Sequence, residues 1–118
     1  MNRPPDVEAI LTLLPTSEGG REHPAFSGYR PNHLVRQDYL TSGTITCLDS
    51  ELIAPGESGR VQITYITPEV YPHCMWEGRV VRVQEGGRLI GHARITAVLN
   101  SQLLGSPGAN DQGSQPAP

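Results

Sequence analysis

The sequence predicts an all-β fold, a closed six-stranded antiparallel β-barrel, from three observations. Valine, isoleucine, leucine, threonine and tyrosine come in short runs broken by Gly, Pro, Asp and Ser. Two of these runs alternate apolar and polar residues with period two, and no run has helical length. Closing the sheet removes the unpaired edges that an open sheet of this size must protect.

Taken in order, the expected strands are Val7 to Leu14, Leu34 to Arg36, Gly43 to Leu48, Gly59 to Ile66, Gly78 to Gln84 and Arg88 to Leu99. Alternation is clearest where Val61, Ile63 and Tyr65 interleave with Arg60, Gln62 and Thr64, and where Val81 and Val83 interleave with Arg82 and Gln84. One face of each is therefore expected to be buried. The connections have their own chemistry. Pro55-Gly56 is a turn pair, Glu85-Gly86-Gly87-Arg88 reads as a tight hairpin, and Thr67 to Glu77 is a longer loop holding two prolines.

With 118 residues, 36% of them hydrophobic, the chain is expected to form one domain of modest core, spanning residues 6 to 100. Residues 1 to 5 read as a flexible leader and residues 101 to 118 as a disordered Gly/Ser/Pro tail. From Gly105 onward no apolar residue is larger than alanine, too little to offset ordering entropy.

Twelve acids against nine bases leave a net charge of −3, so no diffuse positive field draws in nucleic acid and any RNA site must be local. All nine bases are arginine. A chain without lysine has no phosphate loop of the Gly-x-x-x-x-Gly-Lys type, which excludes a P-loop GTPase. Gly86-Gly87-Arg88-Leu89-Ile90-Gly91 is glycine-rich but lies between strands rather than before a helix, so it reads as a hairpin and not as a dinucleotide site.

Cys47 and Cys74 form no disulfide framework, and no secretory apolar segment opens the chain, so both are expected to be reduced thiols of a cytoplasmic protein. No apolar run approaches membrane-spanning length. Neither Cys-x-x-Cys nor His-x-x-x-His spacing occurs, so no metal or other cofactor is expected, and neither thiol has a sequence-fixed base. Glu18, Glu22 and Glu85 read as solvated turn carboxylates rather than an acid/base pair. Met75-Trp76, in the proline-bounded loop, either anchors a partner or closes the barrel end.

Glu18-Gly19-Gly20-Arg21, then Pro24 and Phe26-Ser27-Gly28-Tyr29-Arg30-Pro31, together resemble the C-terminal, third domain of bacterial elongation factor Tu. Arg36 and Thr41 to Thr44 are similar to the strand and Thr-Gly-Thr turn that follow there, with one extra residue. Pro55-Gly56-Glu57 resembles its Pro-Gly-Asp turn, and Glu85 to Gly91 its closing hairpin. The likeness runs from about Ile10 to Leu99.

The resemblance implies a six-stranded antiparallel barrel, no GTP binding and no catalysis, only recognition surfaces. Carried over by position, the family's contacts to the T-arm of aminoacyl-tRNA fall on Arg21, Asn32, Thr41, Glu85 and Gly86. Arg30, Met75, Trp76 and Arg88 are further partner-surface candidates, with Arg21, Arg30 and Arg88 either reserved for a partner or ion-paired within the domain. The family pattern is broken at Glu22, where it has histidine, at Thr67, where it has lysine, and at Gln84, where it has arginine. Two bases are lost and one acid gained, which weakens an RNA face. The expectation is a binding module for a protein of the translation apparatus, or for a toxin that targets the factor, in a decoy, immunity or antitoxin role. A tRNA-binding module is the alternative.

Overall fold

The computed structural model describes residues 3–107. Eight strands form in it: β1 Val7–Leu13, β2 Ala25–Phe26, β3 Asn32–Arg36, β4 Tyr39–Cys47, β5 Leu52–Ile53, β6 Ser58–Tyr65, β7 Val80–Glu85 and β8 Arg88–Val98. Six of them close into a barrel in the order β1-β6-β4-β3-β7-β8, with β8 returning to β1 and every pair antiparallel. The two short strands, β2 and β5, make a separate ribbon. No α-helix occurs among the described residues, only 3-10 turns at Thr16–Glu18, Pro68–Val70 and Ser101–Leu103.

The period-two pattern becomes the core. Val7, Ala9, Leu11 and Leu13 of β1, Val61, Ile63 and Tyr65 of β6, and Val81 and Val83 of β7 all point inward and are buried. Curvature comes from register shifts that set an extra residue on one strand, at Val35 in β3, at Ile90 in β8 opposite Val83/Gln84, and at Thr96 in β8 opposite Glu8/Ala9. One expectation of exposure changes: alternation puts Gln84 on the outer face, where it stands opposite Asn32 and accepts from Arg82 Nε at 3.5 Å, yet it is buried there, its Nε2 donating to Gly86 O at 3.1 Å.

The expected loop from Thr67 to Glu77 is a plug across one barrel end, where β1 and β4 begin and β3, β6 and β8 finish. Tyr71, Cys74 and Met75 are buried in it. The domain also runs beyond its expected limit at Asn100. Leu103 is fully buried, Met75 N donates to Leu103 O at 2.9 Å, and Gly105 N donates to Met75 O at 2.8 Å. Residues 101–105 are thus structural rather than tail, because one leucine finds an apolar site on the plug. At the other terminus Arg3, read as leader, is ion-paired to Asp6 at 2.9 Å. The remaining leader and tail expectations, at residues 1–2 and 108–118, lie outside the described residues.

Candidate functional site

The opposite end of the barrel gathers the two Glu-Gly-Gly-Arg turns, 64 residues apart in sequence at Arg21 and Glu85. The first follows the 3-10 turn Thr16–Glu18. Gly19 sits at φ 94°, and a Cβ on Gly20 would lie 2.1 Å from Leu14 O, so neither position admits a side chain without rearrangement. The second joins β7 to β8, with positive φ at Gly86 (62°) alone, the pattern of a type II′ hairpin.

Glu85 is the centre of the site. Its Oε2 accepts from the Arg21 guanidinium and, at 2.6 Å, from the Tyr29 hydroxyl, while Oε1 accepts from Arg88 at 3.0 Å. The Tyr29 hydroxyl, and the Arg21 and Arg88 guanidiniums after it, hold the Glu85 carboxyl below the usual carboxylate range. Burial, reinforced by the bond to Glu85, pushes the Tyr29 phenol up. Arg21 is fully engaged. Its Nε donates to His23 O at 3.0 Å, one terminal nitrogen reaches Pro24 O at 3.2 Å, and the group stacks 4.2 Å from the Tyr29 ring centroid. Arg21, Glu22, His23, Glu85 and Arg88 line a shallow cleft of about 280 Å³. Two guanidiniums and two carboxylates face it, leaving it electrically balanced.

The residues expected to recognise a partner divide accordingly. Arg21, Glu85, Gly86 and Arg88 lie together, and Asn32 joins them because it pairs with Gln84 across β3 and β7. Arg21 and Arg88 are ion-paired within the domain. Arg30 is exposed, and neither it nor the Asn32 amide has a side-chain partner among the described residues. Thr41 does not belong to the site. It is 6% exposed and its hydroxyl shares a 2.9 Å hydrogen bond with the Tyr71 hydroxyl, which ties β4 to the plug. Met75 is buried as well and closes that end. Trp76 beside it is half-buried, with the Arg79 guanidinium 5.3 Å from its ring centroid.

Sequence reasoning missed two features of this end. Phe26, in the β2–β5 ribbon, is 52% exposed, an apolar side chain open to solvent. Gly87 has neither positive φ nor any atom within 4 Å of a built Cβ, so the turn itself does not require glycine there. Gly87→Ala is expected to leave stability unchanged or raise it by about 0.4–1 kcal/mol, whereas Gly86→Ala destabilises through its left-handed backbone. Paired thermal melts of the two variants check this.

Burial pushes the Cys74 thiol up, and the residue is 2% exposed, whereas Cys47 is half-buried. Alkylation of the native protein should modify Cys47 alone, with Cys74 reacting only after denaturation. Mass spectrometry of the alkylated chain reads the difference. Among the described residues no group of three or more His, Cys, Asp or Glu side chains is placed to hold a metal ion. No helix among them is long and apolar enough to cross a membrane. No family model matches the chain.

Proposed function

We propose that the chain is a non-catalytic binding barrel of the elongation factor Tu third-domain type, and that the rim bearing its two Glu-Gly-Gly-Arg turns engages a protein partner linked to translation. The observation that carries this reading is the balanced charge of the cleft: Glu85 takes up Arg21 and Arg88, and Glu22 adds a further carboxylate. RNA affinity rests largely on uncompensated cations that displace counterions from phosphates. A rim whose guanidiniums already carry carboxylate partners supplies little of that. What it offers instead is a rigid polar surface with an open aromatic, Phe26, a free guanidinium, Arg30, and a free amide, Asn32. Aromatic and arginine anchors within a polar surround are the composition of protein interfaces.

The link to translation rests on the resemblance of Glu18 to Pro31 and of Glu85 to Gly91 to the factor's turns. A component of the translation apparatus, or a toxin that recognises the factor, is the partner class this implies. The test is affinity purification with the intact chain as bait, protein and RNA fractions analysed separately, beside a chain carrying Phe26→Ser and Arg30→Glu. A translation-related protein recovered by the first and lost by the second supports the reading. Charged tRNA that binds at low salt and is released by Arg21→Ala replaces it with the T-arm reading.

A further inference from the structure

The outer wall of β1, β7 and β8 carries cations without matching carboxylates. Register aligns two rows across it. In one, Arg94 of β8 stands between Ile10 of β1 and Val80 of β7; in the other, His92 stands between Thr12 and Arg82. The carboxylates on these strands are Glu8 and Glu85, the first taking a hydrogen bond from Gln62 at 3.3 Å and the second occupied by the opposite rim. The Arg94 side chain is exposed and has no ion pair or hydrogen bond among the described residues. Arg82 reaches only the neutral Gln84, at 3.5 Å. Ile10, Thr12, Ser58, Val80, His92 and Arg94 enclose a shallow groove of about 530 Å³, and Val80 is 54% exposed beside it. On a chain of net charge −3, this is a local reversal of sign.

We propose that this wall is a second binding surface, taking an extended acidic protein segment whose carboxylates, two residues apart, meet Arg82 and Arg94 while its aliphatic neighbours cover Ile10 and Val80. The spacing carries the match. Arg82 and Arg94 are diagonal cross-strand neighbours, about 7–8 Å apart at Cα. Side chains at i and i+2 of an extended segment project from one face about 7 Å apart. Guanidiniums suit carboxylates by forked geometry, and the His92 ring nitrogens add a polar contact between them. Single-stranded RNA is the less suitable occupant, because β1, β7 and β8 hold no phenylalanine, tyrosine or tryptophan and the His92 ring alone cannot stack successive bases. The surface is distinct from the Arg21–Glu85 rim, so it stands or falls independently of the function proposed for that rim.

The probes are a fluorescein-labelled peptide Leu-Glu-Ser-Glu-Leu, its Gln counterpart, and a labelled oligouridine, each titrated into the intact protein with anisotropy and amide chemical-shift readouts. The Glu peptide is expected to bind at low salt, to shift the amides of Ile10, Val80, Arg82, His92 and Arg94, and to lose at least tenfold in affinity in Arg82→Glu/Arg94→Glu. Raising salt to about 0.3 M should weaken it further. Circular dichroism melts of the double variant, both substitutions being exposed, verify that the fold is intact. Equal binding of the Gln peptide, shifts confined to the Arg21–Glu85 rim, or no binding at millimolar peptide overturns the proposal. So does tighter binding of oligouridine, which reassigns the wall to nucleic acid, or self-association abolished by the double variant, which reassigns it to a second copy of the chain.

Discussion

Asp6→Ala is expected to destabilise the domain by about 3–5 kcal/mol, the cost of breaking a buried charged network by removing one partner. Asp6 is fully buried where β1, β6 and β8 meet the plug end. Its Oδ2 accepts the Tyr65 backbone N–H at 2.7 Å and an Arg3 nitrogen at 2.9 Å, and its Oδ1 accepts the Asn100 amide at 2.8 Å. Its carbonyl accepts both Leu99 N at 2.8 Å and Asn100 N at 3.0 Å, a role the alanine retains. Alanine therefore leaves the buried Tyr65 N–H and the Asn100 amide without an acceptor, and Arg3 with Tyr65 O alone, while keeping the backbone ties. Against a total of about 5–15 kcal/mol for a domain, that loss is a large fraction of stability. Arg3→Ala should cost less, about 1–3 kcal/mol: the side chain is 44% exposed, but its loss removes the bond to Tyr65 O at 2.6 Å and leaves the buried Asp6 carboxylate to its two neutral donors. Urea unfolding at neutral pH, with the slope unchanged and the midpoint lowered, measures both. A midpoint for Asp6→Ala no lower than for Arg3→Ala would show that the network contributes nothing beyond its exposed ion pair.

Acidification is expected to remove about 3 kcal/mol through His33 alone. The imidazole is fully buried inside the barrel, edge-on to Tyr65 at 5.3 Å, with Nε2 bonded to Gly43 O at 3.1 Å and Nδ1 without any partner. The carbonyl partner assigns the proton to Nε2. A second proton would land on Nδ1, where nothing accepts it, and burial accordingly pushes His33 down to about 4 from an ordinary value of 6.5. Between those two values the unfolded chain binds more protons than the folded one. The stabilisation is therefore complete above about pH 6.5, declines as pH falls, and is gone below about pH 4. Glu85 acts in a lower window. Its carboxyl is depressed in the fold, so its contribution is present above the normal carboxylate range and lost as pH falls through its folded value. His33→Phe should flatten the stability profile between pH 4 and 6.5, at the cost of the Gly43 carbonyl bond, while leaving the steeper fall below it. A profile unchanged by His33→Phe would remove the histidine as the cause.

Much of the barrel was legible because strand chemistry is local. Side-chain period, turn dipeptides and the absence of helical runs all act within ten residues, and each of the six expected strands corresponds to a barrel strand. Departures came where a residue answered to something far along the chain. Alternation places Gln84 on the outer face, and it keeps that face, but it is buried there because closure sets it beside Asn32 of the distant strand β3. Leu103 falls within the expected tail, which runs on into Gly, Ser and Pro, and it is core because the plug provides it a site. Position in the sequence places Thr41 on the candidate surface, yet its hydroxyl is spent on Tyr71, thirty residues away.

From the residues themselves came the strands, the turns, the excess of acid over base and the two matching Glu-Gly-Gly-Arg turns. Tertiary structure decided that those turns share one carboxylate, that their arginines are neutralised there, and that unpaired cations sit on another wall. The division has a physical cause. Backbone preference and burial period depend on near neighbours, whereas charge balance at a surface depends on which distant strands closure sets side by side.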